Sequence, residues 1–87
     1  MAGVRLKNEN EIKLDALCRY IMLLESMIKT TISIDENFLD VGGHSMIAII
    51  LNEKIKNEFN LIISMEKLYN STLNETLMDA EYIKNHK

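Results

Sequence analysis

The sequence predicts an all-α domain, a bundle of three main helices and one short helix. Three observations support this fold class. Apolar residues recur at intervals of three and four in separate segments of the chain. Proline, which interrupts helices, is absent from the 87 residues. Side-chain patterns typical of helix N-termini precede the first and the last of these segments. Antiparallel packing of such helices would bury all of their apolar faces in one core.

The first predicted helix runs from about Glu9 to Ile28. Asn8 and Glu11 form a capping-box pattern at its start. The predicted buried stripe consists of Leu14, Leu17, Ile21, Leu24 and Ile28. Cys18 is the only cysteine, so no intramolecular disulfide can form, and its place among apolar residues predicts a small buried side chain.

A long connection without helical periodicity is predicted for residues 29–44. Such a connection in a compact domain is usually either functional or disordered. Its apolar residues argue against disorder, because they can attach it to the core: Ile32, Ile34, Phe38, Leu39 and Val41. The connection approaches its end at Gly42 and Gly43, the only adjacent glycines in the chain.

The second predicted helix runs from Ser45 to about Phe59, with Ser45 as its N-cap. Its predicted core stripe consists of Ile47, Ala48, Leu51, Ile55 and Phe59. Met46, Ile49 and Ile50 fall toward the opposite side and are expected to face solvent. Exposed apolar patches on small domains mark interaction surfaces, so these three residues are candidates for partner contact.

The remainder of the chain predicts two more helices. Residues 61–63 read as a short apolar connection, residues 64–69 as a short third helix, and residues 73–85 as the last helix. Thr72 and Glu75 repeat the capping-box pattern before that last helix. Its predicted buried face consists of Leu73, Leu77, Ala80 and Ile83.

Length and charge restrict the classes of function. The 87 residues predict one domain over 1–87, with about 9–85 folded and 1–7 as a tail. The starting methionine and compact length favour a free-standing protein over a domain cut from a larger one, and both alternatives stay open. A net charge of −3, with Lys and Arg scattered, argues against a nucleic-acid partner. No run reaches the ~18 apolar residues of a membrane span, and no signal-peptide core is visible, so a cytoplasmic protein is expected. No metal site is predicted.

The chemistry of the chain is concentrated at the start of the second helix. Gly42 and Gly43 allow the backbone to turn sharply. The Ser45 hydroxyl lies close to the positive end of the helix dipole, where a phosphate is favourable. The same pattern also fits a plain helix start, since a serine N-cap stabilises by ~1 kcal/mol without further purpose. His44 and Ser45 are not expected to form a catalytic pair, because neighbours at a helix start usually point apart and no carboxylate is placed to orient the imidazole. A nucleotide-binding loop is excluded, because its further glycines and lysine are missing.

Residues 35–46 read DENFLDVGGHSM. This run resembles the signature of the peptidyl carrier, or thiolation, domains of nonribosomal peptide synthesis, which belong to the acyl carrier protein-like superfamily. There, an Asp/Asn-Phe-Phe-Asp/Glu-Leu-Gly-Gly-His/Asp-Ser-Leu run precedes the second helix. The resemblance implies that Ser45 receives 4′-phosphopantetheine from coenzyme A and that Gly42, Gly43 and His44 form the attachment loop. His44 favours peptide synthesis, because fatty-acid carriers typically have Asp there. The mild departures from the signature are Leu39, Val41 and Met46.

The resemblance also implies a fold and a set of partners. The fold is a four-helix carrier-protein bundle with a long structured loop between its first two helices. A phosphopantetheinyl transferase would install the arm, and an adenylation enzyme would load an aminoacyl or aryl group as a thioester. Condensation, thioesterase or tailoring enzymes would then receive the aminoacyl, aryl or peptidyl intermediate. The chain would be a monomeric phosphoprotein without catalytic activity of its own.

Two other classes of function compete with the carrier. A plain helical adaptor would bind a partner protein through Met46, Ile49 and Ile50, and it would need no reactive hydroxyl. An enzyme is poorly supported, because the residues do not assemble a nucleophile, a base and an oxyanion site.

Overall fold

A computed structural model of the protein describes residues 8–83. It contains two long helices, α1 (Glu9–Ile28) and α2 (Ser45–Phe59), and two short ones, α3 (Met65–Asn70) and α4 (Leu73–Met78). The predicted all-α bundle of four helices, with a long loop between the first two, is confirmed. The predicted tail 1–7 and the predicted helical residues 84–85 lie outside the described residues. Within residues 8–83, none of the helices has both the length and the apolar character that crossing a bilayer demands.

Helix α1 begins and ends where the sequence predicts. The Asn8 side chain accepts from the Glu11 amide at 2.9 Å, and the Glu11 carboxylate accepts from the Asn8 amide at 3.1 Å. These reciprocal bonds complete the capping box. At the other end, Lys29 adopts a left-handed conformation with a φ of 69°, which terminates the helix.

The buried face of α1 is rotated relative to the predicted stripe. The fully buried residues are Ala16, Leu17, Tyr20 and Leu24. Leu14 is 51% exposed and Cys18 is exposed, so the predictions that these two side chains are buried are wrong. The reason is Tyr20, whose large ring occupies the centre of the face turned to the core. Tyr20 is not part of the predicted stripe.

Helix α2 packs on α1 through the predicted stripe. Its buried residues are Ile47, Ala48, Leu51 and Ile55, and Phe59 is partly buried. The Tyr20 hydroxyl donates to Asn52 Oδ1 at 3.0 Å, which joins the two long helices by a polar contact beside the core. Burial raises the pKa of the Tyr20 phenol well above its ordinary value of 10.0.

The C-terminal part of the chain departs from the prediction. Helix α4 ends at Met78, so the predicted helix over 73–85 is wrong for residues 79–83. Strands β1 (Leu61–Ile62) and β2 (Glu81–Tyr82) instead pair antiparallel, with Leu61 opposite Tyr82. The predicted apolar connection at 61–63 therefore contains a strand.

Three long-range contacts hold this C-terminal strand in place. The Lys13 ammonium donates to the Met78 carbonyl at 2.9 Å, at the point where α4 stops. The Tyr82 hydroxyl donates to the Glu9 carbonyl at 3.1 Å, and the Ile83 amide donates to the Asn60 carbonyl at 2.9 Å. These bonds satisfy backbone carbonyls at the start of α1 and the end of α2. A continued α4 would not supply these contacts.

Candidate functional site

The loop over residues 29–44 is attached both to the core and to the start of α4. Ile32 and Phe38 are buried, as predicted for anchors of this loop. Ile34 and Leu39 are 42% and 47% exposed, so their predicted role as anchors is wrong. Backbone hydrogen bonds attach this part of the loop instead of apolar side chains. The carbonyls of Ile34 and Glu36 accept from the first amides of α4, each at 2.9 Å. The loop is therefore a fixed element that delivers the chain to α2.

An aromatic cluster supports the end of this loop. The fully buried Phe38 ring lies edge-on to Tyr20, with centroids 6.5 Å apart, and stacks on Tyr69 at 6.2 Å. The Gly43 amide donates to the Phe38 carbonyl at 2.9 Å. A Cβ on Gly43 would lie only 2.5 Å from the Phe38 ring, so the backbone rests directly on the aromatic face.

The two adjacent glycines are required for different reasons. Gly42 has a φ of 102°, a conformation that side chains with a Cβ rarely adopt. A Cβ there would have room, with its nearest contact 3.7 Å away on Ile28. Gly43 has no positive φ but no space for a Cβ. The sequence predicts the freedom to turn, whereas the steric requirement at Gly43 depends on the position of the Phe38 ring.

Ser45 is the first residue of α2, and His44 occupies the N-cap position in an extended conformation. The prediction that Ser45 is itself the N-cap is therefore wrong. The His44 side chain makes no capping hydrogen bond, and both side chains are exposed. Within residues 8–83, the Ser45 hydroxyl has no hydrogen-bond partner. It is free to react or to be modified.

The first turn of α2 is electrostatically suited to an anion. Its first helical bond runs from the Ala48 amide to the His44 carbonyl at 2.9 Å, so the three amides before Ala48 precede the helical ladder. The first turn carries no acidic residue. A phosphate bonded to Ser45 Oγ would therefore stand at the positive end of the helix dipole, in solvent, with no side chain competing for those amides. The residues present fit a phosphate-linked group at Ser45.

Two apolar surfaces lie near this hydroxyl. Met46, Ile49 and Ile50 are 65%, 65% and 40% exposed, as predicted, and together they form what is called here the α2 patch. A groove of about 270 Å³ lies farther along the same helix, and Ile49 belongs to both surfaces. The groove is lined by Ile49, Asn52, Glu53, Lys56, Ile62, Ile63 and Met65. Among the described residues, no group of three His, Cys, Asp or Glu side chains could hold a metal ion.

Comparison with known families identifies this arrangement. Residues 14–77, well over half of the chain, match the family model described as the phosphopantetheine attachment site. No curated protein and no solved structure matches the chain significantly. Domains of this family bind a 4′-phosphopantetheine prosthetic group, are generally non-catalytic, and interact with a phosphopantetheinyl transferase and partner enzymes. The chain therefore belongs to the phosphopantetheine attachment site family of carrier domains.

Proposed function

We propose that this chain is a peptidyl or acyl carrier domain with 4′-phosphopantetheine attached to Ser45. It holds aminoacyl, aryl or peptidyl intermediates in nonribosomal peptide or related secondary-metabolite biosynthesis. The observation that carries the proposal is the Ser45 hydroxyl, which is exposed, unpartnered within residues 8–83, and located at an open helix start inside the family match. His44, which precedes it, supports the peptide branch through its resemblance to peptidyl carriers.

The attachment reaction uses Ser45 as the nucleophile. A phosphopantetheinyl transferase directs Ser45 Oγ to the phosphorus on the pantetheine side of the coenzyme A diphosphate. A phosphodiester forms at Ser45, the diphosphate bond breaks, adenosine 3′,5′-bisphosphate leaves, and the serine proton passes to a base on the transferase. The open first turn of α2 favours the anionic product, because its amides and dipole face the new phosphate.

The protein's own residues present the attached group rather than react with it. When bound, the arm supplies a terminal thiol that holds an acyl group as a thioester. The Gly43 backbone, resting on the Phe38 ring, fixes where Ser45 stands on the bundle. The exposure of Ser45 keeps the attached arm accessible to several active sites in succession.

The α2 patch is the proposed docking surface for these enzymes. It lies within the first turns of α2, immediately after Ser45, where a transferase must approach. The same patch would serve an adenylation enzyme and the condensation, thioesterase or tailoring enzymes that follow. A small apolar contact suits partners that must bind and leave in turn.

Mass spectrometry after incubation with coenzyme A and a broad-specificity phosphopantetheinyl transferase tests the proposal. Wild type should gain one arm, and Ser45→Ala should gain none. Ser26→Ala is the matched control, because it removes another exposed serine from a long helix and should be modified fully. A wild type that stays unmodified while a known carrier is converted would refute the proposal and favour the helical adaptor.

The adaptor and the carrier also respond differently to loss of the Ser45 hydroxyl. An adaptor needs the α2 patch but not the hydroxyl, so Ser45→Ala would leave its partner binding intact. Ile49→Lys should slow modification of the carrier by the transferase while Ser45 remains present. Leu14→Lys, on the outer face of α1 and 51% exposed, is the control that should not slow it.

A further inference from the structure

We propose that the outer face of α1 is a self-association surface, on which a second copy of this chain docks with its α1 antiparallel to the first. The surface consists of Leu14, Cys18 and Met22, and it is called the α1 row. A pair formed through the row does not depend on attachment at Ser45. Three features support it: the exposure of the row, the order of its side chains, and its distance from α2.

The α1 row is apolar and open to solvent. Leu14 and Met22 are 51% and 60% exposed, and Cys18 between them is exposed. Intervals of four residues place the three side chains on successive turns of one helix face. That face lies opposite the buried side of α1, because Cys18 and the buried Tyr20 are about 200° apart around the helix. An outward helix face is normally polar, so three consecutive apolar turns indicate an interaction surface.

The order of the side chains makes the row complementary to itself in an antiparallel pair. A two-fold axis at Cys18 brings Leu14 of each copy opposite Met22 of the other, because both lie four residues from that axis. The next residues of the row, Asn10 and Ser26, are exposed and polar, and they border the contact at its two ends. Large apolar side chains therefore meet large apolar ones, and the small cysteine lies at the centre, where the helices approach most closely.

The flanking residues fit the same arrangement. The next row on one side contains Glu11, Asp15 and Arg19, again at intervals of four. With the two α1 rows aligned and the second copy reversed, its Arg19 lies between Glu11 and Asp15 of the first copy, measured along the rows. Opposite charges therefore meet, whereas a parallel pair would set each charge against the same charge of the other copy. On the other side of the row, the partly buried Ile21 lies near the axis and adds an apolar contact.

Arg19 is already positioned for this contact. Its Nε and Nη2 donate to the Glu58 carboxylate at 3.0 and 3.2 Å, which holds the guanidinium beside the row. A guanidinium has further N–H donors, so Arg19 can bind a carboxylate of the second copy without giving up Glu58.

The proposed contact leaves the attachment site open. Helices α2 and α4 pack on the inner face of α1, so the α1 row lies on the side of α1 away from both. A pair would carry two Ser45 hydroxyls, each accessible to a transferase. Three exposed apolar side chains per copy make a contact smaller than the ~1,200 Å² at which stable interfaces begin, so the pair should be reversible. Reversible pairing differs from the strict monomer that the resemblance implies.

Disulfide trapping tests the antiparallel register. Packed helix axes lie about 8–10 Å apart, so Cα atoms that face each other are roughly 5 Å apart, within the reach of a disulfide. Leu14→Cys and Met22→Cys are each made in the Cys18→Ser background and oxidised with copper phenanthroline in air. The mixture should form the mixed disulfide at least about fivefold faster than either variant couples to itself, because like positions are about 12 Å apart along the helix.

Sedimentation equilibrium under reducing conditions measures the association without any cross-link. The weight-average mass of wild type should rise above the monomer mass of 10.0 kDa as the protein concentration increases. Met22→Lys should raise the dissociation constant at least about tenfold, because the two-fold axis makes one substitution remove two apolar contacts. Met46→Lys is the matched control, since Met46 is 65% exposed on α2, and it should associate like wild type.

Three outcomes would overturn the proposed pair. The first is faster coupling of each cysteine variant to itself, which would indicate a parallel pair. The second is an equal loss of association in Met46→Lys and Met22→Lys, which would place the contact elsewhere. The third is a wild type that stays at 10.0 kDa at every concentration, which would leave the α1 row to a helix of another protein. Because the chain is used without coenzyme A, none of these results bears on attachment at Ser45, and failed attachment would leave the pair intact.

Discussion

The loop over residues 29–44 leads into α2 and also contacts the start of α4, but the amides in the first turns of these two helices differ in their hydrogen bonding. At α4, carbonyl groups of the loop accept from the amides of Leu73 and Asn74, and the Thr72 hydroxyl accepts from the Glu75 amide at 3.1 Å. At α2, the N-cap residue His44 makes no side-chain bond to the first turn. The start of α4 is therefore capped by other groups of the protein, which is called the closed helix start. The start of α2 has no side-chain cap, and it is called the open helix start.

This difference shows that the loop is attached to the domain by one part of its length and positions Ser45 with another. Carbonyl groups in the first half of the loop accept hydrogen bonds from α4. The second half of the loop packs on the Phe38 ring through Gly43. The last residues before α2 can then hold a defined position without covering the helix start. The uncapped start of α2 and the capped start of α4 involve different residues, so the two can be perturbed independently.

The largest effect on this arrangement is expected from Gly43→Ala. The added Cβ would lie 2.5 Å from the Phe38 ring, which is confined between two tyrosines. Overpacking of this kind should lower the free energy of unfolding by about 3 kcal/mol. Urea denaturation monitored by circular dichroism measures the change.

Gly42→Ala separates the loss of stability caused by a steric clash from the loss caused by an unfavourable backbone conformation. Its Cβ has room, so the cost should come from the positive φ alone, about 1–2 kcal/mol. Adding Phe38→Leu to Gly43→Ala should recover part of the loss, because the smaller side chain vacates the clash. If Gly43→Ala proved milder than Gly42→Ala, the backbone would not be resting on the ring as described.

The next effect is expected at the closed helix start. Thr72→Ala removes the side-chain cap of α4 and should lower the free energy of unfolding by about 1 kcal/mol. Modification of Ser45 should be unchanged in native conditions, because the variant does not touch α2. Thr31→Ala, at an exposed loop position, should change stability very little and serves as the control.

The open helix start should respond with the opposite sign. His44→Asp supplies a side-chain acceptor where none is used now, so stability should rise by about 0.5–1 kcal/mol. His44→Ala should have almost no effect, because the histidine side chain does not cap α2. Thermal unfolding of the three proteins distinguishes these cases. A clear loss in His44→Ala would show that His44 supports the helix start in some other way.

The local features of this fold were predictable from the sequence. The ends of α1 follow from its capping pattern and helical periodicity, and those of α2 from periodicity and the glycines before it; all of these depend only on neighbours in the chain. The exposure of Met46, Ile49 and Ile50 follows from the same periodicity, because the other side of α2 is apolar enough to be buried.

The features that depend on distant parts of the chain were not predictable in this way. Strands β1 and β2 are two residues each, too short for an alternating pattern, and each exists only because the other pairs with it. Leu14 is exposed because Tyr20 faces the core. Helical periodicity alone does not show which of two adjacent stripes, the one with Leu14 or the one with Tyr20, is buried. At the site, the motif directed attention to Ser45, but the strict need for Gly43 depends on where Phe38 packs.

The smallest expected effect tests whether the open start of α2 favours negative charge. Ser45→Asp places a carboxylate in the first turn of α2 and should raise the free energy of unfolding by about 0.5 kcal/mol at low salt. Ser26→Asp places the same carboxylate in the last turn of α1, at the negative end of that dipole, and should lower stability by a similar amount. Both differences should shrink in 1 M salt, where screening acts over roughly 3 Å. Equal losses in the two variants would mean that replacement of the serine side chain outweighs the dipole. The proposed attachment at Ser45 would then depend on exposure rather than on the field of the helix.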